Sequence, residues 1–361
     1  MLFLVLIIGY VALTVYLANQ EELKRLKGTG EKFSRTAASP AQILLYIGIG
    51  MILMTGTYVL MLASSSEQLA QMAEESGDEL AFPDIGMGSA VFLFAATLAL
   101  GGVALAVVQS PRAREVLEIL LEGRGRYDRR SVVHMTAVVM VLLLITGQIV
   151  TFILEGGTSG MAESIEEEGI PPGEVLFQMF IQVNIAFLGV GWAVRRNTAY
   201  ALRRLGLPKP TRDDLVKGLQ TGLLLIGAVF VVGIITSLLI QVGIFSEQSM
   251  TESGEASNSL TQEFATLPRA LLLSISAAVG EEILFRGALQ PVFGNILVSV
   301  FFTLMHTQTF VSPGLVLIFV VSFILGRLRE RQNTVAAIIA HFTYNFVLLL
   351  YAILIASMET M

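Results

Sequence analysis

Residues 277–287 read AAVGEEILFRG, inside an apolar run, about 268–290, that is long enough to cross a bilayer as a helix. The stretch places Glu281, Glu282 and Arg286 at bilayer depth. A charged side chain at the centre of a membrane helix costs roughly 2.5–3.5 kcal/mol on insertion scales, and such residues usually mark a functional site. We therefore expect these three side chains to have a function.

The composition around this stretch is that of a polytopic membrane protein. Of the 361 residues, 54% are hydrophobic and only 14% are charged, against about 45–50% and about 25% in soluble domains. Apolar runs of spanning length lie at 1–18, 41–64, 87–109, 132–154, 174–194, 215–245, 268–290, 292–309, 313–326 and 334–357. We predict an all-α, polytopic transmembrane bundle of about ten helices. The chain has no cysteine, which excludes disulfides and thiolate chemistry, and nothing indicates a nucleic-acid partner.

The charges between the runs predict an orientation. Loops 19–40, 110–131 and 195–217 and the stretch 327–331 hold 21 of the 23 basic residues, whereas loops 65–86, 155–173 and 246–266 hold no Lys or Arg. Because cytoplasmic loops are enriched in Lys and Arg, we predict a multi-pass cell-membrane protein with both termini non-cytoplasmic. The motif helices would then line a cavity that opens toward the cytoplasm.

The motifs divide the chain into two predicted regions. Residues 1–205 form an amino-terminal membrane region of about five helices, to which the sequence assigns no role. Residues 206–361 form a second membrane domain that contains every motif. We interpret this second region as the catalytic domain.

The acidic pair suggests two different roles. Glu282 and Arg286 share a helix face at i and i+4, which fits either neutralisation of charge in lipid or a direct catalytic role. Glu281 lies about 100° around the helix and lacks a cation at i+4. It suits a general base that takes a proton from water, the alternative being a neutral carboxyl bonded to a backbone carbonyl.

Two of the three histidines lie in later apolar runs. His306 follows Phe302 by one turn, so that Phe302 is placed to hold the imidazole ring by packing. His341 and Asn345 share a face at i and i+4, an arrangement that can direct two donors at one oxyanion. We read the third, His134, as interfacial, with no assigned role.

Other mechanisms receive less support. Glu281, His306 and His341 form a set that could ligate zinc, but the chain has no His-Glu-x-x-His motif. We predict no cofactor and no metal, with zinc as the minor alternative. The chain also lacks Gly-x-Ser-x-Gly, and no apolar run contains the aspartates of an aspartyl protease.

Taken in order on successive apolar runs, three motifs resemble those of a known family: Glu281-Glu282-x-x-x-Arg286, Phe302-x-x-x-His306 and His341-x-x-x-Asn345. They resemble the CAAX-protease and bacteriocin-processing (CPBP, or Abi) family, which includes the Ras-converting CAAX endopeptidases. The resemblance covers about residues 205–357.

The resemblance implies a metal-independent glutamic intramembrane endopeptidase. Glu281 and His306 would activate water, His341 and Asn345 would stabilise the oxyanion, and Glu282 and Arg286 would support Glu281 or contact the substrate. The implied partners are the bilayer and a peptide or protein tail, prenylated or otherwise membrane-anchored. The family also implies an alternative, bacteriocin self-immunity or scaffolding by binding without proteolysis. A transporter is the third hypothesis, although we find no internal repeat.

Overall fold

The computed structural model of this chain describes residues 2–28, 39–66, 68, 85–243, 247–306 and 314–359. Over these ranges the chain is helical and forms no β-strand, which confirms the predicted all-α class. The predicted loop 65–86 lies mostly outside the described residues. Residues 307–313, where the eighth predicted run ends and the ninth begins, also lie outside them.

The described helices are, in chain order, α1 (Leu2–Leu26), α2 (Pro40–Ser64), α3 (Met87–Gln109), α4 (Pro111–Leu120), α5 (Val132–Leu154), α6 (Gly157–Glu168), α7 (Pro172–Gly189), α8 (Thr198–Leu205), α9 (Arg212–Gln241), α10 (Glu247–Glu263), α11 (Leu267–Glu281), a π-helical segment (Glu282–Leu289), α12 (Gln290–Leu304), α13 (Gly314–Arg331) and α14 (Thr334–Glu359).

Within the described ranges, six helical segments are long and apolar enough to cross a membrane. Five of them are α2, α3, α5, α9 and most of α14, at the positions of predicted runs. The sixth joins α11, the π-helical segment and α12 into 38 residues, where the sequence predicted two spans. The predicted runs 1–18, 174–194 and 313–326 fall on α1, α7 and α13, which are not among the six. The count of ten spans is therefore not confirmed, and the orientation of the termini stays a prediction.

Local sequence signals explain several helix boundaries. Thr211 caps α9 through a reciprocal capping box with Asp214, so α9 begins at Arg212, ahead of the predicted 215. The break between the runs 268–290 and 292–309 was predicted near 291, but it falls at Gly294, whose φ of +76° ends regular helical geometry.

Short helices also form in segments that were predicted as loops. They are α4, α6, α8 and α10, in the loops 110–131, 155–173, 195–217 and 246–266. Both α4 and α8 begin at a side-chain cap, Ser110 and Asn197 respectively, that accepts a backbone N–H three residues later. Such short helices are amphipathic or polar and do not give the long apolar run from which the spans were predicted.

The packing brings the motif-bearing helices together. Helix α11 packs against α7 and α14, α12 packs against α13, and the π-helical segment contacts α7, α8, α12 and α14. Helices from both predicted regions therefore contact the motif-bearing segment. The division of the chain into the regions 1–205 and 206–361 stays a prediction.

Candidate active site

The acidic motif lies where an α-helix changes to a π-helix. Helix α11 ends at Glu281, and the π-helical segment that follows carries Glu282 and Arg286. The backbone N–H of Gln290 bonds to the carbonyl of Phe285, five residues earlier, as in a π-turn. Because short π-helical turns are rare and often occur at functional sites, this local geometry marks the segment as a candidate site.

A buried charged cluster joins the first and last motifs. Nε of Arg286 lies 3.2 Å from Oε2 of Glu282, and both side chains are fully buried. Nδ1 of His341, in α14, lies 2.9 Å from Oε1 of the same carboxylate. The predicted i, i+4 pair is thus present, and the structure adds His341 to it. The ion pair is a contact of charges rather than an aligned hydrogen bond, because Oε2 of Glu282 and Nε of Arg286 form no hydrogen bond with each other.

Two further contacts hold the guanidinium of Arg286. Its Nη2 donates to Oγ of Ser322 in α13 at 3.0 Å, and its Cζ lies 5.1 Å from the centre of the Phe302 ring, within cation–π range. Ser322 was not predicted as a site residue. The available signal was a serine inside an otherwise apolar helix, which on its own does not reveal its partner.

The Phe302 ring lies close to both histidines, whereas the sequence predicted only its packing on His306. Its ring centre is 4.5 Å from that of His306 and 6.3 Å from that of His341. The edge of Phe285 packs against it at 5.1 Å. This confirms that Phe302 packs on the His306 ring, and it shows that the same aromatic ring also lies close to His341.

His306 is placed differently from the prediction. The sequence put it inside a helix over 292–309, but α12 ends at Leu304, so His306 lies just beyond the helix end. Its Nδ1 is 2.8 Å from the carbonyl oxygen of Phe302. Because a carbonyl can only accept, the ring donates this hydrogen bond and Nδ1 carries the proton.

The same reasoning applies to His341. With Nδ1 donating to the Glu282 carboxylate, Nε2 can donate to another group only when the ring is an imidazolium. A buried carboxylate next to the ring favours that charged form electrostatically. When the ring is protonated, Nε2 of His341 is therefore a candidate hydrogen-bond donor.

Glu281 and Asn345 differ from the buried cluster. Both side chains are partly exposed, and neither forms a hydrogen bond or ion pair to another described residue. Glu281 is close enough for its charge to act on Arg286 and His341. Asn345 follows His341 by one helical turn in α14. Glu281 is therefore the motif carboxylate that is not committed to a structural partner.

Metal binding was weighed from the sequence as a minor alternative. Among the residues that the structure describes, no three His, Asp or Glu side chains are grouped closely enough to hold a metal ion. Glu281, His306 and His341 thus do not form a ligand set in this arrangement. The expected independence from metals and cofactors stays a prediction.

His134, which was read as interfacial without a role, is a structural residue of another part of the fold. It lies in the first turn of α5, where its Nδ1 accepts the backbone N–H of Asp128 at 2.9 Å. Its ring also packs near Tyr127, with centroids 5.8 Å apart. These contacts fix the turn before α5.

Comparison with known proteins gives one result. Residues 263–347 match the family model described as type II CAAX prenyl endopeptidase Rce1-like. No curated protein and no solved structure matches the chain. The matched range begins just before α11, ends just after Asn345 and contains all three motifs. Residues 263–347 of this chain are therefore similar to the Rce1-like family of type II CAAX prenyl endopeptidases.

Proposed function

We propose that this protein is a membrane-embedded glutamic endopeptidase that cleaves near the carboxy terminus of a membrane-anchored, CAAX-like substrate. The observation that carries the proposal is that two adjacent carboxylates within the matched residues 263–347 have different surroundings. Glu282 is fully buried against Arg286 and His341, whereas Glu281 is partly exposed and has no hydrogen-bond partner among the described side chains.

Glu281 is the proposed general base. Its carboxylate removes a proton from a water molecule as the water oxygen attacks the carbonyl carbon of the scissile peptide bond. The basic Nε2 of His306 helps to orient that water. The proton then passes to the leaving amine nitrogen as the carbon–nitrogen bond breaks, giving a new carboxylate and a new amine without a covalent enzyme intermediate.

His341 and Asn345 are the proposed oxyanion donors. The tetrahedral intermediate places negative charge on the former carbonyl oxygen, and donors fixed in advance stabilise that charge most effectively. The imidazolium Nε2–H of His341 and the side-chain amide of Asn345 can both supply such donors. They lie one turn apart in α14, where side chains four residues apart share a face.

Glu282 and Arg286 are proposed to act through His341. The burial of both side chains argues against direct contact with a substrate, which was one of the two roles considered from the sequence. Glu282 instead fixes the His341 ring through one carboxylate oxygen and stabilises its positive charge, and Arg286 lies against the other carboxylate oxygen. In this role they are positioning residues.

The proposed cavity opens toward the cytoplasm, as the distribution of basic residues predicts. A substrate held in the bilayer by a lipid group would present its polar tail to such a cavity. The motif helices belong to a candidate span, Leu267–Leu304, and to α14.

The test is cleavage of defined peptides by the purified full-length protein in liposomes. Farnesylated and unmodified peptides with CAAX endings would be compared, and the products would be identified by mass spectrometry. We expect cleavage by the wild type and none by Glu281→Ala or His306→Ala, with no effect of a chelator.

Two results would refute the proposal. Activity that is lost with a chelator and restored by zinc would make the mechanism metal-dependent. Absence of cleavage, together with a cellular phenotype that survives Glu281→Ala, would support immunity or scaffolding by binding.

A further inference from the structure

A side chain from the amino-terminal region hydrogen-bonds to the backbone of the π-helical segment. Gly287 and Ala288 lie near the end of that segment, which closes at Leu289. Nη1 of Arg204, at the end of α8, donates to the carbonyl of Gly287 at 3.0 Å, and Nη2 lies 3.4 Å from the carbonyl of Ala288. Arg204 thus bonds directly to the backbone of the segment that carries Glu282 and Arg286.

The two residues after Arg204 hold the start of α14. The carbonyl of Leu205 accepts from Oγ1 of Thr334 at 2.6 Å, and the carbonyl of Gly206 accepts the Thr334 backbone N–H at 2.9 Å. Thr334 is fully buried and is the first residue of the helix that carries His341. Residues 204–206 therefore bond to both motif-bearing segments: Arg204 bonds to the π-helical segment, and the next two residues bond to the start of α14.

Two glycines permit this close approach. A Cβ atom at Gly287 would lie 2.9 Å from the carbonyl oxygen of Leu205, which is closer than such contacts normally come. Gly206 adopts a φ of +70°, and a Cβ there would lie 2.8 Å from Oγ1 of Thr334. The junction consequently depends on backbone contacts between Leu205 and its neighbours that a larger residue would push apart.

Apolar packing reinforces the junction. Leu205 is fully buried in a cluster that includes Ile283 of the π-helical segment and Ile338 of α14. Ile283 directly follows Glu282, and Ile338 precedes His341 by three residues. The same surface of α8 thus touches both helices close to the residues that form the buried cluster.

We propose that Arg204, Leu205 and Gly206, here called the 204–206 clamp, fix the position of the Glu282 segment relative to the His341 helix. This inference rests on the proposed function, because its readout is catalysis. It gives the amino-terminal region a role in the reaction, although the family match lies entirely outside it. Arg204 is a positioning residue in this scheme and does not touch substrate.

The distances from the clamp contacts to the motif residues indicate how strongly catalysis should depend on the clamp. Thr334 precedes His341 by seven residues, or about 10 Å of helix, and Gly287 follows Glu282 by five residues, or about 7 Å. Loosening either anchor would move the donor and base groups relative to each other. Because a displacement of about 1 Å can cost roughly 10²-fold in rate, we expect Arg204→Gln to lower kcat about 10- to 100-fold.

The experiment compares Arg204→Gln with Arg203→Gln, which removes the same charge from the adjacent exposed residue. We expect kcat to fall only in Arg204→Gln, with KM within about two-fold of the wild type.

Thr334 provides an independent pair of variants if Arg204→Gln fails to fold. Thr334→Ser keeps the hydroxyl that bonds Leu205, and Thr334→Val removes it with little change in volume. We expect the serine variant to keep its kcat and the valine variant to lose it, at comparable melting temperatures.

The clamp is refuted if folded Arg204→Gln and Thr334→Val retain the kcat of the wild type, or if both controls lose as much. The proposed function has its own, separate refutation: a wild-type protein that does not cleave the peptides, or a Glu281→Gln variant that does cleave them.

Discussion

Replacing Arg286 with methionine removes one half of an ion pair that is inaccessible to solvent. In the wild type, the Glu282 carboxylate contacts Arg286 at 3.2 Å and His341 at 2.9 Å, and neither charged residue of the Glu282–Arg286 pair has exposed side-chain area. After the substitution, His341 remains as the sole compensating partner described for the carboxylate. Breaking a buried pair on one side typically costs about 3–5 kcal/mol, and we expect Arg286→Met to fall in this range.

The double variant Glu282→Met/Arg286→Met separates this cost from the loss of the pair itself. Replacing both charges with apolar groups is often close to neutral for stability. In this site the remaining cost is the lost partner of His341, about 1–3 kcal/mol for a buried polar group. We therefore expect the double variant to be more stable than Arg286→Met, although both are inactive.

The assay is reversible unfolding of the purified protein in mixed micelles, with an increasing fraction of denaturing detergent. Arg327→Met is the matched control, because Arg327 pairs with Glu330 in the same part of the fold but is 51% exposed. Exposed pairs contribute about 0–1 kcal/mol. If Arg286→Met were no more destabilising than Arg327→Met, or if the double variant were the less stable, the buried-pair reasoning would be refuted.

Three further changes test other parts of the account. Phe302→Leu removes the ring that packs on His306, and we expect a fall in kcat of about 10-fold with unchanged KM, since a loosened imidazole orients water less well; an unchanged kcat would contradict this role. Asn345→Leu should lower kcat by about 10²- to 10³-fold, as loss of an oxyanion donor does in other hydrolases; a change in KM alone would point to substrate binding instead. The hydrogen bond from the Ile170 N–H and the ion pair with Arg269 hold the pKa of the Glu263 carboxyl below its ordinary value of 4.5. The stabilising effect of this carboxylate is therefore complete above pH 4.5 and is lost as the pH falls through the lowered pKa. Unfolding measured across this range should show a smaller acid-induced loss of stability in Glu263→Gln than in the wild type, and equal losses would rule the effect out.

The sequence was informative about the site because its local signals are strong. Glu282 and Arg286 are placed on one face by helical spacing alone, and Phe302 and His306 pack as their spacing predicted. Both predictions need only the geometry of a single helix or its end.

Contacts between distant segments could not be derived in this way. The bond from Glu282 to His341 joins residues 59 positions apart, and the contact of Arg286 with Ser322 spans 36. Nothing in the spacing of one helix shows which face of another it meets. The role of Arg204 was hidden for a similar reason, since by sequence it is one of many basic residues in a loop.

The extent of the helices was predicted less well than their class. Hydropathy located the apolar runs, but it did not reveal the π-helical turn at Glu282 or the early end of α12 before His306. Both are local features of backbone geometry, to which an average of hydropathy over a window of residues is insensitive.

The central claim is that Glu281 activates water while Glu282 only supports the site. The most direct measurement is the single-turnover cleavage rate of a bound CAAX-like peptide in liposomes, for the wild type and Glu281→Gln, with peptide affinity measured in parallel. We expect Glu281→Gln to bind the peptide as tightly as the wild type and to cleave it at least about 10³-fold more slowly, since a general base contributes roughly 10²–10⁴-fold. A Glu281→Gln variant that cleaves at the wild-type rate would contradict it.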